Sequence, residues 1–188
     1  MTGIAIFASG NGSNAQRIIE YFSGHPAIRV SLVLCNKPDA YVLTRAEKLS
    51  VATRIINRAS FYETCEIPEL LKANHIDYLV LAGFLWLIPQ SILAAYPGKI
   101  INIHPALLPK YGGKGMYGSK VHEAVLASGD TESGITIHFV DENYDEGRII
   151  FQAKCPIVSG DTAETLAEKV HALEYRHFAE VIERVVTL

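Results

Sequence analysis

The sequence predicts an α/β fold, with a single doubly wound, mostly parallel sheet, helices on both faces and a late antiparallel hairpin. Three observations support this. Short continuous apolar runs alternate with stretches of helical periodicity over the first two-thirds of the 188-residue chain. A glycine-rich loop follows the first apolar run, and two strand patterns flank an acidic turn at residues 141–147. No linker or repeat interrupts the pattern, which predicts one domain over residues 1–188.

The first half of the chain supplies four predicted strands and the helices between them. Apolar runs predict strands at residues 3–8, 28–35, 52–56 and 78–82. Apolar spacing predicts helices at 15–22, 40–49 and 60–74, and a short one near 91–95. Within the third helix, Pro68 either begins a second helix or kinks the first.

The second half begins with an apolar stretch at 99–109, in which Pro105 and Pro109 end a buried strand. A glycine-rich loop at 110–119 and a helix at 121–128 follow. Strands at 134–140 and 148–156 form the hairpin. Asp161 or Thr162 caps a long final helix. The predicted apolar face of that helix consists of Leu166, Val170, Leu173, Phe178, Val181, Ile182 and Val185.

Composition and charge exclude several classes of protein. The net charge is −3, and the absence of basic runs argues against a nucleic-acid partner. The apolar runs are too short to cross a membrane. The three cysteines are far apart and the histidines lack ligand spacing, so neither a disulfide scaffold nor a bound metal is expected. These features, with no charged leader before the first strand, predict a cytoplasmic location.

Asn102 and His104 are the strongest candidates for chemistry. Side chains two apart on a strand share a face, and Pro105 places His104 where the strand ends. An amide donor beside a titratable base is typical of acyl transfer, whereas the alternative is a turn cap and a structural histidine. A carboxylate of the 141–147 turn could orient or charge His104, although that turn could equally be a solvated one.

The loop at residues 9–14 is the candidate anion site. Its Gly10-x-Gly12-x-x-Ala15 pattern satisfies a dinucleotide fingerprint, but no acid follows the second strand directly. Ser13 and Asn14 place hydroxyl and amide donors where a helix begins, which suits a single phosphate. Three interpretations of this loop remain: a site for a phosphomonoester, a site for a dinucleotide, and a plain tight turn that binds no ligand. In a doubly wound sheet this loop, Gly83 and His104 should lie at one edge.

Four motifs, in order and with similar spacing from residue 4 to residue 186, resemble the phosphoribosylglycinamide formyltransferase family of folate-dependent formyltransferases. The third motif is typical of the wider superfamily, and the first narrows it to the glycinamide ribonucleotide branch. The four motifs are Ser9-Gly10-Asn11-Gly12-Ser13-Asn14, Leu81-Ala82-Gly83-Phe84, Ile101-Asn102-Ile103-His104-Pro105-Ala106-Leu107-Leu108-Pro109 and Asp145-Glu146-Gly147.

This resemblance implies the formyltransferase fold and a reaction of purine biosynthesis. A formyl group would pass from 10-formyltetrahydrofolate, the co-substrate, to the amine of glycinamide ribonucleotide. The enzyme would need no metal and would be a monomer or homodimer. The implied catalytic residues are Asn102, His104 and Asp145. Substrate-binding residues would be Gly12, Ser13, Asn14 and Glu174, and folate-binding residues would be Leu85, Trp86, Leu87, Ile88, Asp141, Glu142, Asn143 and Tyr144.

Other functions remain as alternatives. The same centre could hydrolyse 10-formyltetrahydrofolate, or formylate methionyl-tRNA or an amino sugar. The glycine fingerprint alone allows a nicotinamide-dependent oxidoreductase or a nucleotide-binding module without catalysis. Formyl loss that does not depend on the amine would distinguish the hydrolase.

Overall fold

A computed structural model describes residues 1–187. Seven strands and seven helices make up this part of the chain, and they alternate except for one pair of successive helices and one pair of successive strands. The strands are β1 (Thr2–Ala8), β2 (Ile28–Cys35), β3 (Ala52–Ile55), β4 (Tyr78–Leu81), β5 (Ile100–His104), β6 (Glu132–Phe139) and β7 (Ile149–Pro156). The helices are α1 (Ser13–Tyr21), α2 (Tyr41–Lys48), α3 (Arg58–Tyr62), α4 (Glu66–Ala73), α5 (Gln90–Ala95), α6 (Ser119–Ser128) and α7 (Ala163–Val186).

The strands form one sheet in the order β3-β2-β1-β4-β5-β6-β7. β1 pairs in parallel with β2 and β4, and β6 pairs antiparallel with β7. The predicted fold class, including the late hairpin, is confirmed. The chain divides into two compact units, Met1–Ile101 with Ile182–Leu188, and Asn102–Val181. A single domain over 1–188 stays a prediction.

The first unit contains the point at which the strand order reverses, between β1 and β4. Ligands of doubly wound sheets bind beyond the strand ends at such a point. The loops after these two strands meet there, since the Ser9 N–H donates to the Gly83 carbonyl at 3.1 Å. The prediction that the loop at residues 9–14 lies beside Gly83 is therefore confirmed. His104, which was predicted at the same edge, belongs to the second unit.

The second unit is built on the hairpin of β6 and β7. Ile135 and Ile137 of β6 are fully buried, and so is Thr136. The Thr136 hydroxyl accepts from the Leu108 N–H at 2.9 Å and donates to the Ala106 carbonyl at 2.7 Å. These bonds fix the segment that directly follows β5, and with it the end of the strand that carries His104.

One helical prediction is decided and another needs correction. Of the two alternatives for Pro68, the structure has the second helix, which begins at Glu66, two residues before the proline, because proline fits the first turn of a helix. On α7, Leu173 and Val185 are only half-buried, whereas Glu174 is 4% exposed. Thr162, not Asp161, accepts from the Thr165 N–H at the start of α7.

The end of α7 belongs to the first unit. Ile182 is fully buried there, and the Glu183 carboxylate accepts from the Tyr21 hydroxyl at 2.5 Å. The same carboxylate lies 3.2 Å from the His25 imidazole. Residues from the last helix therefore complete the core and the surface beside α1.

Gly134 has no room for a side chain. A β-carbon there would lie 1.9 Å from the Ala153 carbonyl oxygen of the paired strand. We expect Gly134→Ala to lower the free energy of unfolding by roughly 1–3 kcal/mol, because backbone must move to relieve the overlap. Urea denaturation measures this. Gly10→Ala is the control, since nothing lies within 4 Å of its β-carbon, and an equal loss in both variants would contradict the argument.

Among residues 1–187, no helix combines the length and apolar character needed to span a bilayer. All three cysteines are free thiols, with Cys35 and Cys155 buried and Cys65 exposed.

Candidate active site

The carboxylate of Asp145 joins the two polar side chains at the end of β5. Its Oδ2 atom lies 3.4 Å from His104 Nδ1, and its Oδ1 atom accepts from the Asn102 amide at 3.4 Å. His104 is 3% exposed, and Asn102 is half-buried. The structure thus brings together the three residues that the family resemblance implies, all within the second unit.

His138 is a fourth member of this cluster and was not predicted. Its Nε2 atom lies 3.0 Å from the Asn102 amide nitrogen and 3.6 Å from Asp145 Oδ1. The ring is 1% exposed. The signal in the sequence is its place on β6, where the polar His138 shares a strand face with Thr136 between buried isoleucines.

Hydrogen bonds fix the protons on His138 and Asn102. The Phe139 carbonyl can only accept, so His138 Nδ1 carries a proton and donates to it at 2.8 Å. In the ring form that is protonated only at Nδ1, the Nε2 atom accepts from the Asn102 amide. This contact and the longer one to Asp145 use both N–H bonds of that amide. A substrate oxygen can replace the longer contact at little cost.

The loop after β5 covers the other side of the cluster. His104 Nε2 donates to the Tyr111 carbonyl at 2.8 Å, and the Gly113 N–H donates to Asp145 Oδ2 at 3.0 Å. Tyr111 has a φ of 58°, an unfavourable value for a residue with a side chain. Its hydroxyl contacts Ser128 at 2.6 Å and Asp130 at 2.7 Å. These contacts stabilise the loop conformation.

Burial lowers the pKa of His104 below its ordinary value, although the Asp145 carboxylate and the Tyr111 carbonyl act in the opposite direction. Asp145 thus acts on this pKa in the direction expected of a nearby acid, but the effect of burial is larger. For Asp145, burial raises the pKa, but the neighbouring His138 and His104 imidazoles and the Gly113 N–H outweigh this effect. The net pKa of Asp145 is lowered.

Glu174 of α7 lies near the same cluster. Its carboxylate raises the pKa of both His104 and the buried His122 against the stronger effect of burial. The His171 Nδ1 atom lies 2.9 Å from Glu174 Oε2, and this hydrogen bond raises the pKa of His171. Glu174 is thus a buried carboxylate of the second unit that acts on the pKa of three histidines.

The candidate phosphate loop lies in the first unit. Gly12 has a φ of 79° and precedes α1, whose first turn begins with Ser13 and has no side-chain cap. A β-carbon on Gly12 would lie 2.4 Å from Val42 of α2, so only glycine fits. Uncapped N–H groups at the start of a helix favour an anion.

The segment predicted to contact folate in this unit is Leu85–Ile88. The Leu85 N–H donates to the Ser9 hydroxyl at 3.0 Å, and the Leu87 carbonyl accepts from the Tyr62 hydroxyl at 3.0 Å. Trp86 is half-buried, with Arg58 stacked 5.0 Å from its ring centre, and Ile88 is buried. The segment is thus held at both ends by side chains.

The second predicted folate segment follows β6. The Asp141 carboxylate accepts from the Asn143 N–H at 2.9 Å, while Glu142 and Tyr144 are exposed. Tyr144 and Asp145 line a cavity of about 600 Å³, together with Gly112 and Gly113. Within residues 1–187 no group of three or more His, Cys, Asp or Glu side chains could hold a metal ion, and the lack of a metal stays a prediction.

Comparison with known proteins identifies the family. The sequence model described as formyl transferase matches residues 2–182. The chain belongs to the formyl transferase family. Its Bacillus subtilis relative, phosphoribosylglycinamide formyltransferase, is 36% identical over 100% of this chain and 96% of its own length.

Plant members of the formyl transferase family are also similar. The chloroplastic phosphoribosylglycinamide formyltransferase of Arabidopsis thaliana is 41% identical over 95% of this chain. The chain spans only 63% of that relative and 59% of the one from Vigna unguiculata. The crystal structure of glycinamide ribonucleotide transformylase 1 from Symbiobacterium toebii superposes with a TM-score of 0.88 at 35% identity, covering 97% of this chain and 86% of that one.

Family membership implies a formyl donor of the folate type. It does not favour the nicotinamide alternative, and the structure agrees, since the residue after β2 is Asn36 and the next acid, Asp39, lies in the following turn.

Proposed function

We propose that the protein transfers the formyl group of 10-formyltetrahydrofolate to the amine of glycinamide ribonucleotide, a step of purine biosynthesis. The observation that carries this proposal is the Asp145 carboxylate placed between Asn102 and His104. The names of the relatives, which cover nearly all of this chain, support the choice of substrates.

The reaction needs no protein nucleophile. The neutral amine attacks the formyl carbon, which forms a carbon–nitrogen bond and a tetrahedral intermediate with a negative oxygen. The bond from that carbon to the folate nitrogen then breaks. The proton that the amine loses is the proton that the leaving nitrogen gains, so the enzyme must stabilise the oxyanion and move one proton.

Asn102 is suited to the oxyanion. His138 holds its amide at 3.0 Å, and this second contact fixes the direction in which the remaining N–H points. That N–H leaves its 3.4 Å contact with Asp145 for the developing oxyanion. A donor placed in this way is typically worth a factor of about 100–1000 in rate.

His104 is suited to the proton. Its lowered pKa leaves the ring largely neutral at rest, so it can accept the proton of the attacking amine. The imidazolium formed is stabilised by the Asp145 carboxylate and is acidic enough to act as the general acid for the leaving nitrogen. To accept that proton at Nε2, the neutral ring must carry its own proton on Nδ1, toward Asp145, and Nε2 must exchange the Tyr111 carbonyl for substrate. This exchange requires the loop at residues 111–113 to shift.

The remaining predicted residues bind the two substrates. Gly12, Ser13 and Asn14 hold the phosphate, and Glu174 binds the ribose or the amine end. Folate lies against two segments, the backbone of Leu85, Trp86, Leu87 and Ile88, and the loop of Asp141, Glu142, Asn143 and Tyr144.

Ser13→Ala should raise the Michaelis constant for glycinamide ribonucleotide roughly tenfold, since a hydrogen bond to a charged phosphate is lost. The constant for 10-formyltetrahydrofolate should stay within twofold. Steady-state kinetics with each substrate varied in turn measures both. Ser23→Ala, an exposed serine just after α1, is the control. Equal changes in the two constants would contradict the phosphate assignment.

A formyl-transfer assay with the amine present and absent tests the whole proposal. We expect N-formylglycinamide ribonucleotide to appear in equal amount to the tetrahydrofolate released, and negligible release without the amine. Release of tetrahydrofolate at the same rate with and without the amine would identify a hydrolase and overturn the proposal.

Assembly and location complete the proposal. We expect a monomer or homodimer, measured by sedimentation, without nucleic-acid or membrane partners. The proposed location is the cytoplasm, which fractionation of the source cells would test.

A further inference from the structure

The candidate phosphate loop is held from the side by α2. The Val42 N–H donates to the Gly10 carbonyl at 3.1 Å. The Val42 side chain lies where a β-carbon of Gly12 would be. These contacts join the start of α2 to both glycines of the loop, so the shape of the loop depends on that helix.

Arg45, one turn further along α2, binds the residue between those glycines. Its Nε atom donates to the Asn11 carbonyl at 2.9 Å, and Nη2 donates to Asn11 Oδ1 at 2.7 Å. Nη1 donates to Gln16 Oε1 of α1, and the guanidinium stacks 4.8 Å from the centre of the Tyr41 ring. The planar guanidinium fork thus contacts two oxygens of Asn11 at once, which the single ammonium of lysine matches poorly.

The geometry of the peptide unit gives these contacts a functional consequence. In a planar trans peptide the C=O and the following N–H point in opposite directions. Holding the Gly10 carbonyl toward Val42 turns the Asn11 N–H away from α2. Holding the Asn11 carbonyl toward Arg45 turns the Gly12 N–H away as well. Successive N–H groups that are fixed in this way form a concave site for an anion.

The bond from Arg45 to Gln16 extends the support to α1. The Gln16 side chain accepts from Arg45 and donates to Glu20 at 2.6 Å. The Gln16 N–H donates to the Gly12 carbonyl at 2.9 Å. Arg45 therefore fixes the loop relative to the first turn of α1, where Ser13 and Asn14 lie.

We propose that Arg45 is a positioning residue for the substrate phosphate, acting through the Asn11 carbonyl and Gln16 to preorganise the N–H groups of the candidate phosphate loop and of the first turn of α1. This inference rests on the proposed function, because it takes the phosphate of glycinamide ribonucleotide as the ligand of that loop. An unsupported loop must be ordered when the phosphate binds, so affinity for that substrate falls while the formyl-transfer step is unaffected.

Arg45→Met tests this with Arg54→Met as the matched control, because Arg54 is an exposed arginine of the same unit that pairs with Glu66 at 3.0 Å. We expect Arg45→Met to raise the Michaelis constant for glycinamide ribonucleotide at least tenfold. The constant for 10-formyltetrahydrofolate should stay within twofold and kcat within threefold. Arg45→Lys should recover part of the loss, and Arg54→Met should change none of the three by more than twofold.

An unchanged constant for glycinamide ribonucleotide, or equal changes in both constants, would overturn the role of Arg45. Should Arg45→Met fail to fold, Asn11→Ala replaces it, since it removes one acceptor of the guanidinium and should raise the same constant about threefold. Calorimetric binding of ribose 5-phosphate separates this inference from the proposed function. A wild-type protein that binds this ligand but forms no formylated product refutes the function, and a tenfold weaker binding to Arg45→Met still supports the inference.

Discussion

Replacing Asn102 with alanine is expected to lower kcat for formyl transfer roughly 100–1000-fold, because the oxyanion loses its preorganised donor. The effect should fall on kcat more than on either Michaelis constant, since the negative charge on the formyl oxygen develops only in the transition state. Steady-state kinetics at saturating concentrations of both substrates measures it. The His138 contact predicts a smaller loss of the same kind in His138→Ala, because Asn102 would keep its amide but lose its orientation.

Asn74→Ala is the matched control for Asn102→Ala. Asn74 is also a half-buried asparagine that donates through its amide, but to the Leu70 carbonyl at the end of α4. The Asn74→Ala substitution should lower the melting temperature by a few degrees and leave kcat unchanged. A folded Asn102→Ala protein with kcat within threefold of wild type would refute the assignment of Asn102.

Asp145→Asn is expected to lower kcat roughly 100-fold and to lower the pKa of His104 further. The carboxylate raises that pKa and burial lowers it, so removing the negative charge leaves the lowering by burial with less to offset it. The imidazolium formed during proton transfer then lacks its counter-charge. Titration of the histidine side chains by NMR measures the pKa, and Asp39→Asn, an exposed aspartate of the first unit, is the control.

The direction of the pH effect on stability follows from the same shift. The pKa of His104 in the folded protein lies below its unfolded value near 6.5, so the unfolded chain binds the proton first as pH falls. The contribution of neutral His104 to stability is complete above about pH 6.5 and is lost as pH falls through the folded pKa. In Asp145→Asn this loss should continue to a lower pH. A higher pKa for His104 in the variant would contradict the electrostatic account.

Local rules were sufficient for the fold and for part of the candidate site. Alternation on a strand predicts that Asn102 and His104 share a face, and glycine spacing predicts the loop before α1. Pro68 indicated a second helix but not the position of the break at residues 63–65, because neither proline nor glycine lies there and the turn between α3 and α4 depends on hydrogen bonds of neighbouring side chains.

Long-range contacts account for what spacing along the sequence could not predict. Asp145 lies 41 positions after His104, and no spacing rule brings the two within 3.4 Å. Asn102 and His138 meet only because β5 and β6 bring their polar faces together. Burial, the largest influence on the pKa of His104, is also a property of the folded chain, so the sequence could predict the effect of the acid but not the net direction.

The discontinuous first unit has a consequence for synthesis on the ribosome. Its core includes Ile182, which is made only after the intervening segment Asn102–Val181, about 80 residues long. At roughly 5–20 residues per second, the first hundred residues wait some 4–16 s for the part of α7 that contacts α1. During that interval the nascent chain exposes the apolar surface that Ile182 later covers, which makes it a substrate for chaperones until Ile182 has been made.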